Sequence, residues 1–194
     1  MSKIGLFFGS FNPVHTGHLL IANYFLEFTD LDTIWFVVSP QNPFKQNDTL
    51  LDEHIRLHLL KLAVEDESRF IASDVEFNLE RPSYTVNTLR YLRNKYPAVT
   101  FVPIIGGDNL QSFHQWKNFE EILEQHEVYV YRRAGFHENP LLANHPKIKL
   151  FEVPLLNISS TYVRDMIQAG KSIHYMVPDS VRDYIEENYL YQNK

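Results

Sequence analysis

The 194-residue sequence contains no cysteine. That absence excludes disulfide staples, thiol catalysis and cysteine-based zinc sites. No apolar run approaches the ~20 residues of a membrane span, and residues 1–9 are apolar too briefly for a signal peptide before Asn12-Pro13 intervenes. A soluble, cytoplasmic protein with no membrane partner is the expectation. A basic excess is also missing: 18 Lys+Arg stand against 24 Asp+Glu, a formal net charge of −6. Duplex nucleic-acid binders want a basic face, so no nucleic-acid partner is expected. Small phosphate ligands need only a local cluster of donors and cations, and stay in play. Internal repeats, low-complexity tracts and Gly/Ser linkers are absent as well, and one domain over 1–194 is the reading.

What is present is globular. Hydrophobic residues make up 44% and charged residues 22%, and a chain this long buries roughly 70% of its unfolded surface. The 14 Phe, 11 Tyr and 2 Trp promise a filled core and rings to spare for a ligand. Short Ile/Val/Phe runs over 3–9, 33–39, 70–75, 99–105, 127–132 and 148–153 read as strands covered on both faces. Between and after them, 16–28, 52–67, 84–95, 116–125, 160–169 and 178–188 read as helices. Ile55, Leu59, Leu62 and Ala63 share one helical face, and Pro178 suits a first helical turn. The alternation predicts an α/β, Rossmann-like, doubly wound and mostly parallel sheet with helices on both faces. Polar loops over 40–49 and 134–147 are candidate substrate loops.

The chemistry concentrates after the first strand, in Gly9-Ser10-Phe11-Asn12-Pro13-Val14-His15-Thr16-Gly17-His18. Ligands of open parallel sheets sit beyond the carboxyl ends of strands, and a helix N-terminus offers unpaired N–H groups to an anion. His15 and His18, three apart, project to one side of a helical turn, and Gly17 leaves the backbone open to a phosphate. The loop is neither G-x-G-x-x-G nor G-x-x-x-x-G-K-[ST]. A zinc pair lacks a third ligand and the H-E-x-x-H spacing. His54 and His58 are four apart, but Ile55 stands in the place of the metalloprotease Glu, so they read as a polar helix face.

The ten-residue loop resembles the G-x-F-x-P-x-H-x-G-H signature of the nucleotidyltransferase superfamily, and Ile158-Ser159-Ser160-Thr161-Tyr162-Val163-Arg164 resembles its I-S-S-T-x-x-R motif. Ser159 would cap that helix, with Arg164 one turn on. Further segments resemble the bacterial nicotinate mononucleotide adenylyltransferases: Pro40-Gln-Asn-Pro43-Phe44-Lys45, Ser83-Tyr84-Thr85 with Thr88-Leu89, Gly106-Gly107-Asp108 with Leu110, Phe113 and Trp116, Arg132-Arg133-Ala134-Gly135, and Tyr175-Met-Val-Pro178. Phe44 stands where the family usually has His, Asn12 where Asp is commoner, and Ala134 where it has Pro.

The resemblance implies AMP transfer from ATP to nicotinate mononucleotide, giving the deamido dinucleotide and pyrophosphate in NAD biosynthesis. It implies His15, His18, Lys45 and Arg164 as the catalytic set, acting on phosphates. Gly9, Ser10, Phe11, Gly106, Asp108, Ser159, Ser160 and Thr161 would bind ATP, with Asp108 on ribose hydroxyls. Asn12, Ser83, Tyr84, Thr85, Trp116 and Arg133 would bind the acceptor, Trp116 stacking on the pyridine ring and Arg133 holding the phosphate. Mg²⁺ would come with ATP, held through phosphates and water rather than a carboxylate cage. A homo-oligomer is compatible with the sequence. Two other readings stay open: an adenylyltransferase for nicotinamide mononucleotide or pantetheine phosphate, and a non-catalytic nucleotide-binding module.

Overall fold

Nearly continuous apolar runs let the central strands bury both of their faces, and the sheet that results is parallel throughout. The computed structural model describes residues 2–41, 50–132, 142, 144–154 and 156–192. The chain runs β1 (Ser2–Gly9), α1 (Thr16–Phe28), β2 (Thr33–Val38), α2 (Glu53–Val64), β3 (Phe70–Ser73), α3 (Thr85–Lys95), β4 (Val99–Gly106) and α4 (Gly107–Ser112). A 3-10 turn (Phe113–Gln115) leads to α5 (Phe119–Gln125), β5 (Val128–Tyr131), β6 (Ile148–Phe151), α6 (Ser160–Gln168) and α7 (Asp179–Glu187). The strand order is β3-β2-β1-β4-β5-β6, every pairing parallel. This is the doubly wound order, with its reversal point between β1 and β4.

Two cores lie on opposite faces of the sheet. Phe7, Ile34, Phe36, Val102, Ile104, Tyr129 and Tyr131 pack with Ile21 and Phe25 of α1, Leu59 and Leu60 of α2, Val163 of α6 and Val181 and Ile185 of α7. Their strand neighbours Leu6, Val37, Phe101, Ile105, Val128 and Val130 pack with Val86, Leu89 and Leu92 of α3, Leu110 of α4 and Ile122 of α5. One residue along a strand thus switches the core it serves.

The elements expected from the sequence are there, with corrections. The helix expected over 116–125 starts only at Phe119, because Asn118 turns into the left-handed region at φ 51° and Trp116 is extended. A short helix over Gly107–Ser112 goes unpredicted, since two glycines hide a helical start. The buried face of α2 is formed by Arg56, Leu57, Leu59, Leu60 and Val64, not centred on Ile55 and Leu62. Pro178 is the residue before α7 rather than in its first turn. His54 and His58 are exposed, as a polar face should be.

Arg56 is fully buried. Its guanidinium donates to the carbonyls of Leu51 (2.8 Å), Ser10 (2.6 Å) and Ser39 (3.0 Å). It therefore ties the connection after β1 to both ends of the connection after β2. Arg56→Ala should lower unfolding stability by about 3 kcal/mol or more, since each buried carbonyl left unpaired costs ~1–3 kcal/mol. Urea titration measures this; a loss below about 1 kcal/mol would show that water replaces the guanidinium.

Candidate active site

At the reversal point, the connection leaving β1 turns one way into α1, and that leaving β4 turns the other way into α4. The crevice between them is bounded by the ends of both strands. The residues between Gly9 and His15 are held from several directions. Phe11 adopts φ 45° with its ring buried. Asn12, also buried, accepts at Oδ1 from the Tyr191 hydroxyl (3.0 Å) and the Leu51 N–H (3.3 Å), and its carbonyl accepts from Arg164 Nη1 (2.7 Å). Burial raises the Tyr191 phenol well above its usual range, so it stays a donor.

His15 precedes α1 and His18 sits in its first turn. Their rings stack with centroids 3.7 Å apart, as the three-residue spacing predicted. The His15 backbone N–H donates to His18 Nδ1 at 3.2 Å. A backbone amide can only donate, so Nδ1 is the acceptor and the proton of a neutral His18 belongs on Nε2. The Phe11 and Phe7 rings meet the His18 ring edge-on at 5.0 and 6.0 Å, and fix its plane. His15 is buried and His18 half-buried.

Gly17 serves a different purpose from the one expected. A Cβ there would lie 3.0 Å from His15 Nδ1 and 3.1 Å from His15 Cε1, so its bareness makes room for the imidazole before any phosphate. The α6 start behaves as read from sequence: the Ser159 hydroxyl accepts the Tyr162 N–H at 3.1 Å. The Ser160 hydroxyl donates to the Pro13 carbonyl (2.8 Å), and Arg164 also reaches Thr161 Oγ1 (3.3 Å). Helix α6 is thus bonded to the loop that carries the histidines.

On the other side of Gly9 lies an open cleft. Ser83, Tyr84, Thr85 and Trp116, all expected at the acceptor, line it, with Gly9 and Gly106 at its floor. Trp116 is half-buried and tilts on Phe113 with centroids 5.0 Å apart. The Ser83 N–H is already bonded to the Gln41 carbonyl (3.1 Å), so the donors the turn can offer follow that residue. Asp108 is exposed in the first turn of α4, and a Cβ on Gly106 would collide with its carboxylate. The residues around the phosphate loop are imidazoles, hydroxyls and a guanidinium. Among the described residues no group of three His, Asp or Glu side chains could hold a metal ion.

Lys45, Phe44, Arg133 and Ala134, together with most of the two loops expected to carry substrate, lie outside the described residues. The sequence reading missed Glu76, Asn109 and Lys117, which line the cleft, and Arg56 and Tyr191, which hold the loop. Only Asn109 carried a local signal, its place beside Asp108; the others act across the chain.

The fold and the histidine loop define a nucleotidyltransferase, and residues 6–166 match the cytidylyltransferase-like family. Two relatives, from Flavobacterium johnsoniae and Cytophaga hutchinsonii, carry the name "probable nicotinate-nucleotide adenylyltransferase". Each is 50% identical over 191 residues, covering 98% of this chain and 99% of its own. Among solved structures, a Plasmodium falciparum nicotinic acid mononucleotide adenylyltransferase complexed with NaAD shares the fold at a TM-score of 0.83, with 22% identity over 98% of each chain. The chain belongs to the nicotinate-nucleotide adenylyltransferase family.

Gly17→Ala should preserve or raise thermal stability, because alanine is the better helix former by about 1 kcal/mol. It should also push the His15 ring aside and weaken ATP binding. Thermal unfolding and ATP titration read the two effects; wild-type binding would show that the ring's place is immaterial.

Proposed function

We propose that this protein transfers AMP from ATP to nicotinate mononucleotide, releasing pyrophosphate and forming the deamido dinucleotide. The observation that carries the mechanism is the stacked histidine pair, its Nδ1 fixed as acceptor, next to a pocket built for a flat ring. The acceptor phosphate, a monoester with a second pKa near ~6, is mostly dianionic at neutral pH. It attacks the ATP α-phosphorus in line, the bond to the β-phosphate oxygen breaks, and no general base is needed. What the protein supplies is fixed positive potential and donors as charge spreads over the transferring group.

In this reading His18 donates from Nε2 to the transferring phosphoryl, and His15, stacked beneath it, meets the neighbouring phosphate. The first-turn N–H groups of α1 add donors and a positive dipole end. Arg164, bonded to Asn12 through Nη1, turns the rest of its fork to the leaving phosphates beside Ser159, Ser160 and Thr161, with Ser10 and Phe11 lining the path. Asp108 takes the ribose hydroxyls. Lys45 adds a point charge and Arg133 the grip on the acceptor phosphate, the parts their motifs imply. Mg²⁺ would neutralise phosphate charge when bound, and would be held through the substrate phosphates and water. Trp116 stacks on the pyridine ring, while Tyr84 and the N–H groups starting at Thr85 face its carboxylate.

His18→Ala should lower kcat by ~10²–10³ with little change in Tm, the usual cost of one donor at developing charge. Steady-state pyrophosphate release measures it, and near-normal turnover in a folded variant would remove His18 from the chemistry. For the acceptor, a carboxylate can take every donor the α3 start offers, whereas an amide turns N–H₂ toward them or leaves one unpaired. At ~1–3 kcal/mol for each unpaired group, kcat/KM should favour nicotinate over nicotinamide mononucleotide by ~10²–10³. Equal values would overturn the acid-acceptor reading. Turnover with pantetheine phosphate alone would move the protein to another acceptor, and ATP binding without pyrophosphate release would make it a binding module.

A further inference from the structure

Glu76 lines the acceptor cleft, and its side chain is not used by any step described so far. It is 2% exposed. Thr88 Oγ1 of α3 donates to its Oε1 at 2.7 Å, while Oε2 is buried with no partner within 3.5 Å among the described residues, the Ser39 and Ser83 hydroxyls acting on the carboxyl only weakly from beyond that distance. A buried carboxylate without a cation beside it is costly, and proteins relieve that cost by keeping the proton on. Burial does raise this carboxyl above the usual range, and outweighs the hydroxyls of Thr88, Ser39 and Ser83, which favour the charged form.

The groups facing Glu76 are identifiable element by element. Ser39 follows β2, Ser83 precedes α3 and Thr88 lies on α3. The other titratable groups on the described cleft wall are Tyr84, Tyr131 and Lys117. Lys117 is exposed, its ammonium 4.5 Å from the centre of the Tyr84 ring. No described side chain on the wall therefore pairs with Glu76 as a countercharge.

We propose that Glu76 reads the acceptor's carboxylate: as a neutral acid it donates Oε2–H to that group, and its proton adds to the preference for acid over amide that the N–H groups of the α3 start supply. The inference rests on the nicotinate reading above. A protonated carboxyl has one donor, and a buried donor without a partner is unfavourable until a ligand supplies an acceptor. A carboxylate is the better acceptor, since charge-assisted bonds are roughly twice as strong as neutral ones. Once Glu76 ionises, the preference weakens. Two adjacent carboxylates repel, whereas the N–H₂ of an amide can donate to the anion. Because the folded pKa is raised, the proton is retained to higher pH than on an exposed Glu and lost as pH rises through that value.

The test is the ratio of kcat/KM for nicotinate and nicotinamide mononucleotides, followed from about pH 5.5 to about pH 8.5, in wild type and Glu76→Gln. The acceptor phosphate titrates in both substrates and cancels in the ratio. In wild type the ratio should fall by ~10-fold or more as pH rises, the size of a one-unit difference in Glu76 pKa between the two complexes. In Glu76→Gln, which keeps an N–H donor and cannot ionise, it should be flat. A second measurement needs no variant: calorimetry in buffers of different ionisation enthalpy should show the wild type taking up more protons with the acid than with the amide above neutral pH. A flat wild-type ratio, an unchanged slope in Glu76→Gln, or equal proton uptake overturns the role of Glu76 while turnover stands. No turnover with either acceptor overturns the acceptor reading itself.

Discussion

The site depends on one buried cation. Among the described residues Arg56 has no carboxylate partner; its guanidinium is held by main-chain carbonyls of Ser10, Ser39 and Leu51. Three carbonyls from three segments converge only if those segments are already in place, so the bonds act together as a lock on loop geometry. Asn12 extends the lock, gathering Tyr191 from the chain's far end, Leu51 and Arg164. The loop is thus rigid by hydrogen bonding where a phosphate site needs preorganised donors. A donor that must first be repositioned spends part of its binding energy on that movement.

The sheet divides the chemistry. On one face, α1 and α6 carry the imidazoles and the guanidinium toward the carboxyl end of β1. On the other, α3, Trp116 and Glu76 line a cleft, the proposed acceptor side. The two meet at Gly9, which belongs to the cleft wall and begins the histidine loop. A reaction joining two phosphates in line needs such an arrangement: each substrate's bulk is held by a separate wall, and only the reacting phosphates share the gap.

How far the sequence reveals this follows from the range of each interaction. The β1–α1 loop could be read because its parts are local: a spacing of three stacks two histidines, and the neighbouring residues cap and brace them. The sheet was legible because period-two burial is written into Phe7, Phe36, Val102 and Ile104 on one face and Leu6, Val37, Phe101 and Ile105 on the other. Gly17 was misread because the sequence shows that a side chain is missing but not what fills the space. Arg56, Glu76 and Tyr191 were illegible for a related reason. An arginine on an amphipathic helix reads as surface, an acid after a strand reads as turn, and a tyrosine near the end reads as tail. Arg56, Glu76 and Tyr191 acquire their roles from partners such as Ser10, Thr88 and Asn12, which lie 46, 12 and 179 residues away.

A protein of net charge −6 that handles two polyanions must separate its charges in space. At the amino-terminal edge of the sheet, Lys3 is enclosed by Asp30 (2.7 Å) and Glu127 (2.6 Å), and Lys149 adds a further pair to Glu127. These pairs hold the lysine well above and the carboxyls below their usual values. At the opposite edge, Arg56 and Arg164 face carbonyls, and carbonyls take hydrogen bonds without neutralising charge. These guanidiniums keep their charge at the strand ends where phosphates are proposed to bind, although Glu53 and Asp52 act on Arg56 from nearby. Among the described residues Glu76 is the one buried acid; burial raises its carboxyl above the usual range, and it stands on the wall of the cleft beside Gly9.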